Sequence, residues 1–133
     1  MKAGTEALSA INTLKGMAVD VEGRRPRLAS VFGGLSGPAI RPIALRYVYE
    51  IKKHFDVPVI GAGGIMTTYD ALEFIVTGAH MVAVGTANFV NPRASMEIVD
   101  GLERYLRENR FRSINEIRGT LQAGGRKEEI PAG

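Results

Sequence analysis

A run of β-branched residues that stops abruptly on glycines constrains this chain more than any other feature. Val57-Pro58-Val59-Ile60 leads into Gly61-Ala62-Gly63-Gly64, and Thr67 then opens the helical pattern Tyr69-Asp70-Ala71-Leu72-Glu73-Phe74-Ile75-Val76. That order reads as a buried strand, a tight loop and a helix. Glycines in such a loop leave backbone N–H groups uncovered by side chains, and a helix N-terminus beside them favours negative charge. The design recurs one unit later, where Met81-Val82-Ala83-Val84 ends in Gly85-Thr86. Two neighbouring parallel strands ending this way can hold one phosphate between Gly63-Gly64 and Gly85-Thr86. The alternative is that the glycines only make two tight strand-to-helix turns.

The same alternation extends in both directions. Ala7 to Asn12 reads as a short buried strand, with Asn12-Thr13 placing two hydrogen-bonding side chains at its C-terminal end. Ala18–Val21 and Leu28–Val31 are expected to pair as a small hairpin across Glu22-Gly23-Arg24-Arg25, with Pro26 limiting the pairing to an edge. The glycine cluster Gly33-Gly34-Leu35-Ser36-Gly37-Pro38 introduces a helix from Arg41 or Pro42 to His54. Thr67 and Asp70 form the pattern of a capping box, although Asp is shorter than the usual Glu or Gln. Gly78 is placed to end that helix. Asn91-Pro92 predicts the start of a long helix to Glu108, and Ser113-Ile114-Asn115-Glu116 a short terminal one. From Gly124 onward the chain is glycine-rich and charged, and 122–133 reads as a disordered tail after a single unit over 1–121.

Strands alternating with helices imply parallel strands joined by right-handed crossovers, hence an α/β fold. The strands are apolar on both faces, as in a sheet covered by helices or closed into a barrel. All glycine and polar signals fall at strand C-terminal ends, where such folds place ligands.

Composition narrows the function classes. The 133 residues contain no cysteine, which removes disulfides, thiolate metal sites and a cysteine nucleophile. No carboxylate or histidine spacing suggests a metal; His54 and His80 read as structural or exposed. The net charge of +3 is mild, and Arg24, Arg25 and Arg27 lack interleaved aromatics, so they read as a solvated turn rather than a nucleic-acid surface. No apolar run approaches a membrane span and no secretory pattern is visible, so a cytoplasmic protein is expected.

The residues also carry a family resemblance. Ile11-Asn12-Thr13-Leu14-Lys15-Gly16-Met17-Ala18, the stretch Gly33 to Arg46, Ile60-Gly61-Ala62-Gly63-Gly64-Ile65 and Val84-Gly85-Thr86-Ala87-Asn88-Phe89 together resemble dihydroorotate dehydrogenase of class 1B. The likeness runs from about Gly4 to Leu121. It implies an FMN-containing (β/α)8 barrel that oxidises dihydroorotate to orotate in pyrimidine biosynthesis. By the same resemblance, the backbone of Gly63, Gly64, Gly85 and Thr86 would hold the FMN phosphate. Ile11 and Gly37 would touch the flavin through main chain, and Asn12 and Thr13 would hydrogen-bond the substrate. Class 1B enzymes pass electrons to a separate iron–sulfur and FAD subunit.

A full barrel is typically about 250 residues, so the resemblance implies a partial TIM barrel: strands six to eight with their helices. The family's catalytic-base cysteine would lie on the earlier strands, and no catalytic residue is assigned within this chain. The expectation is therefore a C-terminal portion that is inactive unless completed by the missing units, or that self-associates through its open edges. Two alternatives stand beside it: a non-catalytic half-barrel module that binds FMN or another phosphate, and part of a dihydropyrimidine dehydrogenase flavin domain.

Overall fold

The computed structural model describes residues 4–122. The expected tail from Gly124 onward lies outside the described residues. Three short strands make the central sheet: β1 (Leu8–Ala10), β6 (Val59–Ala62) and β7 (Met81–Ala83), in the order β1-β6-β7 and parallel throughout. The register pairs Ala10 with Gly61 and Gly61 with Val82, so the three strand ends lie side by side.

Between β1 and β6 the chain leaves the sheet as an antiparallel arm. Here β2 (Leu14–Met17) pairs with β5 (Phe32–Leu35), and the smaller ladder β3 (Val19–Asp20) with β4 (Arg25–Pro26) lies at its tip. This corrects the expected hairpin: Leu28–Val31 is not a strand, and Val19-Asp20 pairs with Arg25-Pro26. Pro26 confines that inner ladder to two pairs. The outer ladder pairs Gly16 with Gly33 and Lys15 with Gly34. A Cβ at Gly34 would fall inside the Thr13 side chain, which explains why β5 carries glycine there.

Helix α1 (Arg41–His54) follows a 3-10 turn at Pro38–Ile40 and carries Pro42 in its first turn, where a missing N–H leaves no intrahelical bond unmade. Helix α2 (Thr68–Thr77) opens with the full capping box. Thr67 Oγ1 accepts from the Asp70 N–H at 3.3 Å, and Asp70 Oδ2 accepts from the Thr67 N–H at 2.8 Å. The shorter Asp therefore suffices. Gly78 ends α2 with φ 119. A one-turn helix α3 (Ala87–Val90), not expected from the sequence, precedes α4 (Ala94–Glu108). Asn91 is not the helix cap, because Arg93 occupies that place; Asn91 Oδ1 instead accepts from the Arg93 N–H. The Ser113 capping box is present but closes only a 3-10 turn, Ile114–Glu116.

The two faces of the sheet differ. Val59 and Gly61 face α1 and α2, and around them Ala44, Val48, Phe74 and Ala79 are fully buried. Gly61 is the close-approach position, since a Cβ there would lie 2.5 Å from Phe74 Cδ1 and 3.2 Å from Ala79 Cβ. The opposite face carries Ile60, Met81, Ala62 and Ala83, and no helix of the described chain covers it; Met81 is 59% exposed. Among the described residues no helix is long and apolar enough to cross a membrane, and no cluster of three or more His, Cys, Asp or Glu residues could hold a metal.

His80 locks β6 to β7: its N–H donates to Val59 O at 2.7 Å, and its Nδ1 accepts from the Val59 N–H at 3.3 Å. Burial, then Arg118 and Lys52, lower its pKa from the ordinary 6.5, against Asp56. The unfolded chain thus takes up a proton at higher pH than the native one, and stability falls as pH drops below about 6.5. His80→Gln is expected to flatten that slope when melting temperature is followed from pH 7.5 to 5.5; an unchanged slope would refute the role. Gly61→Ala is expected to lower stability by about 1–3 kcal/mol in urea melts, because Phe74 has no room to retreat.

Candidate ligand cleft at the strand ends

The C-terminal ends of β1, β6 and β7 converge on one cleft, and every residue singled out from the sequence lines it: Ile11, Asn12 and Thr13 after β1, Gly37 after the arm, Gly63 and Gly64 after β6, Gly85 and Thr86 after β7. The fold brings them together because β6 is central and parallel to both neighbours.

Among the described residues, no protein acceptor meets the N–H groups of Gly63, Gly64, Gly85 or Thr86. Gly63 and Gly64 have φ of 127 and 73, a left-handed stretch that side chains rarely adopt. Gly64 is also closely confined: a Cβ there would lie 2.7 Å from Gly37 O and 2.9 Å from Arg41 N. Gly85 differs, for a Cβ there would meet nothing within 4 Å.

The α2 N-terminus does not serve the cleft as the sequence suggested. The N–H groups of Met66 and Thr67 both donate to Asp70 Oδ2, at 2.9 and 2.8 Å. The protein's own carboxylate already occupies that helix end. The free donors lie earlier, on Gly63-Gly64, and at Gly85-Thr86 ahead of α3, which has no side-chain cap.

Asp70 is 7% exposed and its charge is fully partnered. Besides the two N–H groups on Oδ2, its Oδ1 accepts from Arg41 Nη1, and Arg41 Nε reaches Glu73 Oε2 at 3.1 Å. Arg41 is the first residue of α1, so the pair ties α1 to α2 across the Gly63–Thr67 loop. Two further hydroxyls meet over the cleft: Thr86 Oγ1 donates to Ser36 Oγ at 2.8 Å, joining the arm to the loop after β7.

At the β1 end, the Ile11 N–H donates to Ala62 O at 2.8 Å, which leaves only its carbonyl for a ligand. Asn12 Oδ1 accepts from the Thr13 N–H at 2.7 Å and lies 3.4 Å from the Thr13 hydroxyl. The Asn12 amide N–H groups and a Thr13 oxygen lone pair are then left to face outward, a donor beside an acceptor.

Sequence reasoning missed Arg41, Asp70 as an ion-pair partner, Ser36, and Gly34 as the space for Thr13. The capping box pointed to Asp70, but only as a cap. Nothing local marked the others.

Fold and cleft together define an α/β protein whose parallel strands deliver backbone donors and polar side chains to one rim. The chain belongs to the dihydroorotate dehydrogenase family: the model described as dihydroorotate dehydrogenase matches residues 1–106. Its relatives include proteins named dihydroorotate dehydrogenase B (NAD(+)), catalytic subunit. The one from Alkaliphilus metalliredigens is 54% identical over 118 residues, covering 89% of this chain and 39% of the relative. The one from Desulforamulus reducens is 57% identical over 117 residues, covering 88% and 38%. The one from Trichlorobacter lovleyi is 58% identical over 120 residues, covering 90% and 40%. The chain thus spans about two fifths of the length of the curated relatives it matches.

Two glycines in the cleft should respond differently to alanine. Gly64→Ala meets both a left-handed φ and backbone on two sides, and should cost about 1–3 kcal/mol or more. Gly85→Ala should stay within about 0.5 kcal/mol of the parent. Equal melting temperatures for the two variants would contradict the geometry.

Proposed function

We propose that this chain is the C-terminal portion of an FMN-dependent dihydroorotate dehydrogenase of class 1B, forming strands six to eight of a (β/α)8 barrel over 1–121 with a tail at 122–133. The observation that carries the proposal is the set of unpartnered N–H groups on Gly63, Gly64, Gly85 and Thr86 at the ends of two adjacent parallel strands. Such a cradle suits a phosphate, because several fixed dipoles point at one anion with no side chain in the way. The relatives are named as dihydroorotate dehydrogenases, and the resemblance of the sequence to class 1B implies that the phosphate is that of FMN.

In this reading Gly63, Gly64, Gly85 and Thr86 bind the FMN phosphate. The carbonyl of Ile11 and the backbone of Gly37 border the ring. Asn12 donates through its amide and Thr13 accepts, a pair that fits the adjacent C=O and N–H groups of dihydroorotate. When bound, FMN supplies the two-electron oxidation. The chain holds no cysteine, so the base that removes the substrate proton comes from the missing N-terminal units, and this portion turns over only when they complete it. The open edges of β1 and β7 are where those units pair, which encloses the face with Ile60 and Met81 inside the barrel; without them the chain self-associates through those edges. An iron–sulfur and FAD subunit accepts the electrons, in a cytoplasmic setting. The names of the relatives disfavour a dihydropyrimidine dehydrogenase domain. A non-catalytic FMN-binding module is the second reading, favoured by the same missing base.

The purified 133-residue chain should quench FMN fluorescence and bind FMN more tightly than riboflavin, which lacks the phosphate. Dihydroorotate should not bleach the bound flavin until the N-terminal units are supplied. No preference for FMN would sink the phosphate seat, and bleaching by the chain alone would sink the claim that the base lies elsewhere. Light scattering after size exclusion should give a mass above that of one chain; a stable monomer would refute self-association.

A further inference from the structure

The Arg41–Asp70 pair lies beside the cleft, not in its lining, and the proposed chemistry does not use it. Its neighbours show what it does. The loop from Gly63 to Thr67 is held at two places. Its far end is fastened by the Met66 and Thr67 N–H groups on Asp70 Oδ2. Its near end lies close to the start of α1, since a Cβ at Gly64 would come within 2.9 and 2.8 Å of Arg41 N and Cβ. The Arg41 guanidinium then closes the circuit onto Asp70 Oδ1 and Glu73. One side chain therefore sets both the position of the α1 backbone behind Gly64 and the position of the carboxylate that anchors the loop.

We infer that Arg41 and Asp70 are positioning residues of the anion seat: they hold Gly63-Gly64 in the left-handed conformation that leaves its N–H groups without a protein acceptor. Asp70 also takes up the α2 N-terminus, so that its positive end cannot compete as an alternative anion site. Arg41 neutralises Asp70, which would otherwise place a full negative charge behind the seat and repel the ligand. The inference rests on the phosphate reading above, and the experiment separates the two.

The test uses the full 133-residue chain, with FMN and riboflavin as probes and dissociation constants read from flavin fluorescence. A purely structural role for Arg41 would lower melting temperature and weaken both flavins alike. A positioning role changes the ratio between them. Arg41→Met is expected to reduce the preference for FMN over riboflavin roughly tenfold. Arg41→Lys, which keeps the charge but cannot span Asp70 and Glu73 together, is expected to restore only part of it. A parental ratio in Arg41→Met overturns the inference while leaving the seat in place. No FMN preference in the parent overturns the seat and the inference together. Should Arg41→Met fail to fold, Arg41→Lys decides alone, and a parental ratio there overturns the inference.

Discussion

A single buried carboxylate organises the half of this molecule that carries the cleft. Desolvating a charge is expensive, and it is tolerated only where hydrogen bonds and an opposite charge replace the lost water. Asp70, on α2, meets that requirement with two backbone N–H groups of the preceding loop and the Arg41 guanidinium of α1. The start of α1, the loop after β6 and the first turn of α2 therefore cannot move independently. The left-handed turn at Gly63-Gly64 lies inside this triangle. Its conformation follows from the constraint, because any side chain at Gly64 would strike the Gly37 carbonyl or the Arg41 backbone. Occupation of the α2 N-terminus by Asp70 leaves the unpartnered N–H groups one turn earlier, on the glycines.

How much of this was legible in the sequence depended on how local each determinant is. The Thr67–Asp70 cap, the glycine ending α2 and the strand–glycine–helix order are all set within a few residues, and each is present as expected. The parallel pairing of β6 with β7 followed from alternation alone. The arm was not legible, because Ala18–Val21 and Leu28–Val31 have similar β propensity and either could be written as a strand. The actual register sets Gly33 and Gly34 opposite Gly16 and Lys15, where a Cβ would strike Leu28 at the first and Thr13 at the second. Likewise Arg41 meets Asp70 across 29 positions and Ser36 meets Thr86 across 50. No periodicity or capping rule reports contacts at that separation. Helix α3 escaped notice for the opposite reason: four residues are too few to establish a helical period.

The two faces of the sheet separate what this chain can do by itself from what it needs help to do. The helix-covered face holds Val59 and Gly61 against a core that includes Phe74, Val48 and Ala44, all fully buried. The determinants of the proposed anion seat lie on that side or directly above it. The other face leaves Ile60 and Met81 without cover, although apolar residues on both sides of a parallel sheet call for two coverings. A phosphate contact requires only the first face. A flavin ring held for hydride chemistry requires walls on all sides and a base at hydrogen-bonding distance from the substrate. In the proposed reading Ile11, Asn12, Thr13 and Gly37, which line the cleft, supply one edge of such a site. In that reading, binding of the phosphate and reaction at the ring are thus governed by different parts of the fold, and the residues described here belong to the first.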